Sequence, residues 1–75
     1  MRTIKFTMER DVLNIGDIVE LTEGKLPRAY YYTAEPAAAM SVNIEPQERL
    51  MSSTGKVVGK TPEGSSFILD IEVEN

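Results

Sequence analysis

Apolar residues recur at every second position near both ends of this chain. Near one end, Ile4, Phe6 and Met8 occupy every second position, with polar residues between them. Near the other end, every second residue from Phe67 to Val73 is apolar. A period of two residues places the apolar side chains on one face of an extended strand. The pattern therefore predicts two β-strands, each buried on one face.

The middle of the chain contains shorter apolar runs separated by turn residues. Ile18–Leu21 predicts a short strand, which Glu23 and Gly24 are expected to end. Tyr30–Tyr32 favours a strand because aromatic residues are enriched in sheets. Residues 36–40 begin with proline and continue with three alanines, so we expect at most one short helical turn there.

The last third of the chain predicts a hairpin with a definite register. Residues 62–64 read Pro-Glu-Gly, which suits a three-residue loop that ends in a left-handed glycine. That loop places Val57 opposite Leu69 on the apolar face, and Lys56 opposite Asp70 on the polar face. We expect this register because a slip of one residue would turn the apolar side chains toward solvent.

Two segments resemble small bacterial SH3-like barrels. In that family a Gly-Asp-x-Val strand is followed later by a Gly-x-Val-x strand, and the corresponding segments here are Gly16–Leu21 and Gly55–Val73. The N-terminal strand is an addition to this pattern and leaves the strand order open. An OB-like barrel would produce the same signals. We therefore predict one all-β domain over residues 1–75, an SH3-like or OB-like barrel of about five to six short strands.

Composition and charge restrict the partners that such a domain would bind. The 75 residues include 12 acidic and 8 basic side chains, which gives a formal net charge of −4. Proteins that bind nucleic-acid phosphates cluster their Lys and Arg residues, whereas the basic residues here are dispersed. No apolar stretch has the length of a membrane span or of a signal-peptide core. We expect a cytoplasmic protein without a membrane partner.

The residue types argue against catalysis and against a bound cofactor or metal. The chain has no Cys and no His, which removes thiolate and imidazole ligands and the usual base of a nucleophilic serine. Gly55–Thr61 ends in Gly-Lys-Thr, but it has three residues between its glycines where a phosphate-binding loop needs four. Asp70, Glu72 and Glu74 would share a strand face at a spacing of ~6.5–7 Å, which is wide for chelation. We expect no enzyme activity.

The most suggestive segment for function is the run of three tyrosines. In a strand Tyr30 and Tyr32 share one face and Tyr31 takes the other, so we expect at least one ring at the surface. Tyrosine is enriched at protein interfaces, and methionine adapts to irregular contacts. The opposite interpretation is that two rings lie in the core and neighbours cover the third. The candidate interaction patch consists of Arg28, Tyr30, Tyr31, Tyr32, Arg49 and Met51.

Three functional hypotheses follow. A chain of this size buries only ~60% of its unfolded surface, so a partner or a second copy would supplement its core. The leading hypothesis is a non-catalytic barrel that binds a protein or associates with itself. One alternative is an acidic regulator or nucleic-acid mimic that occupies the basic groove of a nucleic-acid enzyme. Another is a barrel that stacks the bases of a single-stranded nucleic acid on its tyrosines.

Overall fold

The computed structural model describes residues 1–35 and 39–74 and has the form of a closed antiparallel barrel. The strands are β1 Arg2–Met8, β2 Ile18–Lys25, β3 Tyr30–Glu35, β4 Ala39–Ser41, β5 Thr54–Glu63 and β6 Ser66–Val73. Around the barrel they follow the order β1-β4-β3-β2-β5-β6. A 3-10 turn at Pro46–Glu48 is the one helical element among the described residues. The prediction of a small all-β barrel is confirmed.

The helical turn predicted at residues 36–40 falls largely outside the described residues. Residues 36–38 are not described, and Ala39 and Met40 belong to strand β4. Elsewhere in the described part, no helix has the length and apolar character that crossing a lipid bilayer requires.

Alternation along the strands builds the core as the sequence predicted. On β1 the side chains of Ile4, Phe6 and Met8 are buried, while the intervening Lys5 and Thr7 are exposed. The same alternation recurs on the other long strands, and the described residues include no buried charged side chain. The remaining buried hydrophobic residues are Leu13, Val19, Leu21, Tyr32, Ala34, Ala39, Ile44, Leu50, Val57, Leu69, Ile71 and Val73.

Strand β2 is longer than predicted, because Glu23 and Gly24 continue the strand and do not end it. Gly24 lies opposite Tyr31 on β3, and a Cβ at this position would overlap the Tyr31 ring. The glycine is therefore required for ring packing and not for a turn. The chain reverses later, over residues 26–29, where the N–H of Leu26 donates to the carbonyl of Ala29 at 2.8 Å.

The predicted β5–β6 hairpin is present, but its register is wrong. The loop has two residues, Gly64 and Ser65, and the observed pairs include Val57 with Ile71 and Lys56 with Glu72. Gly64 has a φ of +62°, which a two-residue hairpin loop requires at its first position. The loop follows Glu63 and not Thr61, which moves the partner of Gly59 by three residues, and a β-bulge reduces the shift to two for Val57 and Lys56.

Two local features make the observed register possible. Pro62 lies opposite Phe67, next to the Glu63–Ser66 pair that closes the loop. Every second pair of an antiparallel hairpin is not hydrogen-bonded, so the missing N–H of a proline is tolerated at this position. Further along, a β-bulge at Val58 shifts the register by one residue. The bulge places Val57 in the core opposite Ile71, and Val58 remains 40% exposed. Val57 and Leu69 are thus both buried as predicted, although they are not paired.

Candidate functional site

The three adjacent tyrosines occupy three different environments. Tyr32 is fully buried in the core, and Tyr30 is half-buried and packs against the edge of that core. Tyr31 points to the opposite face, where its half-buried ring covers Gly24. The predicted division of faces is confirmed, and Tyr32 is the only one of the three rings that is fully buried.

Two of these tyrosines belong to a polar group where the barrel interior opens to solvent. Side chains on β2 alternate, so Glu23 and Lys25 follow the buried Leu21 on the same face. The register places Glu23 opposite Tyr32 and Lys25 opposite Tyr30. Arg49 reaches the same place from the segment after the 3-10 turn. We call this group the barrel-end cluster: Glu23, Lys25, Tyr30, Tyr32 and Arg49.

The carboxylate of Glu23 organises the cluster. Arg49 donates to both of its oxygens, from Nε to Oε2 and from Nη2 to Oε1, each at 2.8 Å. The hydroxyl of Tyr32 donates to Oε2 at 2.7 Å. The Arg49 guanidinium also lies over the Tyr30 ring, 4.8 Å from its centroid. A bidentate ion pair and a cation–π contact together fix the orientation of the guanidinium.

The Tyr32 hydroxyl also connects the cluster to the backbone. It accepts a hydrogen bond of 3.0 Å from the buried N–H of Leu50, while donating to Glu23. Leu50 is buried in the core, and the flanking residues are at the surface, with Met51 80% exposed. One hydroxyl therefore links the carboxylate that holds Arg49 to the backbone immediately before Met51.

The protonation states of the cluster follow from these contacts. Hydrogen bonds from Arg49 and then from Tyr32 hold the pKa of Glu23 below its ordinary value of 4.5. Burial, together with the hydrogen bond to the Glu23 carboxylate, raises the pKa of Tyr32 above its ordinary value of 10.0. At neutral pH the cluster therefore contains a charged Glu23, a charged Arg49 and a neutral Tyr32.

The lowered pKa of Glu23 predicts a specific dependence of stability on pH. A carboxyl with a lower pKa in the folded state stabilises the fold above pH 4.5, and this contribution is lost as pH falls through the folded-state pKa. Arg49→Gln removes the largest cause of the shift. Thermal unfolding measured from pH 7 to pH 3 gives the melting temperature of the wild-type protein and of Arg49→Gln. We expect the wild-type protein to melt at the higher temperature at pH 7, and this difference in melting temperature to shrink as the pH falls. A difference that stays constant over this range would contradict the assigned role of Glu23.

The structure brings together only part of the predicted interaction patch. Tyr30, Tyr32 and Arg49 meet at the barrel end, and Met51 follows Arg49 by two residues. Arg28 is exposed in the loop 26–29 that joins the two cluster strands. Tyr31 lies on the other face of the sheet.

Two residues of the cluster, Glu23 and Lys25, were missed by the sequence analysis. The signal for both was present, because they continue the alternation that begins at Val19 and Leu21. Because glycine is typical of turns, the predicted strand ends at Leu21, before Glu23 and Lys25.

The carboxylates of β6 lie on the outer surface and are interleaved with cations. The predicted pair of Lys56 with Asp70 is wrong, because the register places Gly59 opposite Asp70. Asp70 accepts a hydrogen bond of 2.6 Å from Lys5 on β1. Glu72 lies between Lys56 and Thr3 on the neighbouring strands. Among the described residues, no group of three acidic side chains is placed to hold a metal ion.

Comparisons with known proteins do not identify the chain. No protein-family model, no curated protein and no solved structure matches it. Its function must therefore be inferred from the residues and geometry of the barrel-end cluster.

Proposed function

We propose that the chain is a non-catalytic, cytoplasmic module that binds a protein partner through the barrel-end cluster and the adjacent Met51. The observation that supports this proposal is the fixed orientation of Arg49 over Tyr30, beside a Met51 that is 80% exposed. Arg, Tyr and Met are the residue types that interfaces favour. A guanidinium already held in place loses less conformational entropy on binding than a free one.

The protonation of the cluster favours binding over catalysis. A general base works best with a pKa near the operating pH, whereas the pKa of Glu23 is lowered and both of its oxygens accept hydrogen bonds. The Tyr32 hydroxyl is a weak acid with a raised pKa, and its hydrogen bonds are directed to Glu23 and Leu50. These groups serve to hold Arg49.

The distribution of carboxylates does not favour the nucleic-acid mimic. A mimic needs free carboxylates on one face, whereas Glu48 contacts Arg2, Asp11 contacts Lys60 and Asp70 contacts Lys5.

The proposal includes a relation to small bacterial SH3-like barrels. It rests on the resemblance of the segments that begin at Gly16 and Gly55.

A charge introduced at Met51 tests the proposed interface. Met51→Glu changes an exposed side chain, so the fold should survive, but an interface that buries it would have to desolvate a carboxylate. We expect Met51→Glu to weaken capture of the partner from a lysate of the source organism at least about tenfold, which is about 1.4 kcal/mol. Quantitative mass spectrometry of the captured proteins measures the effect.

Met40→Glu is the matched control, because Met40 is 53% exposed on β4, where it lies beside Thr7 and Thr33. It should leave capture unchanged. Equal capture by both variants, or equal loss in both, would place the interface elsewhere. Light scattering after size exclusion separates self-association from a foreign partner, since Met51→Glu should dissociate a homo-oligomer formed through this surface.

A further inference from the structure

Positive charge is concentrated around the barrel-end cluster of this acidic chain. Lys25, Arg28 and Arg49 lie at the end of the β2–β3 hairpin with one carboxylate, Glu23. Three cations and one anion give this group a formal charge of +2. Because the whole chain carries −4, the remaining residues carry −6. The candidate interface therefore has the opposite sign to the rest of the molecule.

The geometry leaves two of these cations available to a ligand. Lys25 and Arg28 are exposed and form no ion pair with any residue that the structure describes. Of the carboxylates nearest to Arg49 along the chain, Glu48 forms an ion pair with Arg2 at 3.0 Å. Glu45 accepts a hydrogen bond of 2.7 Å from the uncharged amide of Gln47, which leaves its charge in place.

One half-buried and one exposed apolar side chain, Tyr30 and Met51, accompany the two available cations. Tyr30 lies directly opposite Lys25 in the register, and its ring is covered on one side by the Arg49 guanidinium. Met51 follows Arg49 by two residues and is exposed. A ligand with carboxylates beside an apolar side chain would match both parts of this surface.

We propose that the end of the β2–β3 hairpin binds an acidic segment of a partner protein. Carboxylates of that segment contact Lys25 and Arg28, and an apolar side chain packs on the exposed Met51. This inference rests on the proposed function and specifies the chemistry of its partner. The charge of −6 on the other residues repels an acidic ligand from other surfaces and so favours this orientation.

A nucleic acid fits the same observations less well. Proteins that bind single strands combine a basic groove with a series of aromatic rings on which successive bases stack. Here Arg49 is committed to Glu23 and covers the Tyr30 ring, while Tyr31 lies on the opposite face of the sheet. The accessible cations are two, which is few for a phosphate backbone.

Hexaglutamate, with hexaglutamine as the uncharged control, serves as the probe in a ¹⁵N-resolved NMR titration of the full chain. We expect hexaglutamate to shift the amide signals of residues 25–30 and 49–51, and hexaglutamine to leave them in place. The double variant Lys25→Glu/Arg28→Glu should weaken the binding at least about tenfold.

The matched control is Arg10→Glu/Lys56→Glu, which reverses two exposed cations elsewhere on the barrel that form no ion pair within residues 1–35 and 39–74. Each double variant changes the formal charge from −4 to −8, because each reversal subtracts two charges. The control should retain the hexaglutamate affinity to within about twofold, since screening at physiological salt limits the effect of distant charges.

Three outcomes would overturn the proposal. Equal weakening by both double variants would mean that binding depends on net charge and not on the hairpin end. Tighter binding of a short oligothymidylate at the same residues would identify the ligand as a nucleic acid. Absence of hexaglutamate binding, with capture that still depends on Met51, would reject the acidic partner and leave the proposed function intact. Conversely, hexaglutamate binding at the hairpin end, together with partner capture that Met51→Glu does not weaken, would reject the proposed Met51 interface but not the binding of acidic segments.

Discussion

Replacing Phe6 with alanine is expected to lower the free energy of unfolding by about 3–5 kcal/mol, the largest effect of any single substitution proposed for this chain. Phe6 is completely buried on β1, where it lies opposite Ser41 on β4 and Leu69 on β6. Removal of the ring leaves a cavity on the side of the barrel that β4 closes. A domain of 75 residues has a total stability of roughly 4–11 kcal/mol, so much of it would be lost.

Urea unfolding followed by far-UV circular dichroism measures this loss. Thr7→Ala is the matched control, because Thr7 is the next residue on β1 and points outward between Met40 and Ile68. The control should change the free energy of unfolding by no more than about 1 kcal/mol, which is the range of strand propensities. Similar midpoints for the two variants would contradict the assignment of Phe6 to the closed core.

The long strands at the two ends of the chain were predictable because their signal is local. A strand with one buried face alternates whatever its neighbours are, so β1 and β6 can be read from the sequence without knowledge of strand order. The hairpin register was not predictable in this way. The buried face of β5 could be predicted at Val57, but no local pattern reveals the bulge at Val58 that changes its partner on β6. Gly64 suits the last position of a three-residue loop as well as the first position of a two-residue loop.

Closure of the barrel depends on contacts that leave no periodic signal. Strand β4 has three residues, yet it joins β1 to β3 through Ser41 opposite Phe6 and Ala39 opposite Ala34. The hydroxyl of Ser41 adds a hydrogen bond of 2.8 Å from the backbone N–H of Tyr32. Three residues are too few for alternation to distinguish a strand from a loop, so the strand order could not be derived.

The candidate site was predictable in its residue types but not in its arrangement. Tyr30, Tyr32 and Arg49 belong to the predicted patch because such residues favour interfaces, and the structure brings them into one cluster. Glu23 links them, although it lies 26 positions from Arg49 in the sequence. No local pattern reports a contact over that separation. The available signal was the continued alternation of β2, which indicates that Glu23 faces the barrel end.

Tyr32→Phe is expected to lower the free energy of unfolding by about 1–3 kcal/mol, although it removes a single oxygen atom. The hydroxyl accepts a hydrogen bond from the buried N–H of Leu50, and phenylalanine would leave this donor without a partner. The same substitution removes one of the hydrogen bonds that hold the pKa of Glu23 low. We therefore expect that pKa to rise toward 4.5, as measured by NMR titration of the Glu23 side-chain carboxyl carbon.

Tyr31→Phe is the matched control, because the Tyr31 hydroxyl makes no hydrogen bond with the residues that the structure describes. It should change stability by no more than about 0.5 kcal/mol and leave the pKa of Glu23 in place. A stability loss in Tyr32→Phe without a change in that pKa would mean that the hydroxyl supports only the backbone of Leu50. Movement of both quantities would mean that one buried hydroxyl couples the core of the barrel to the position of Arg49, and hence to the surface proposed for the partner.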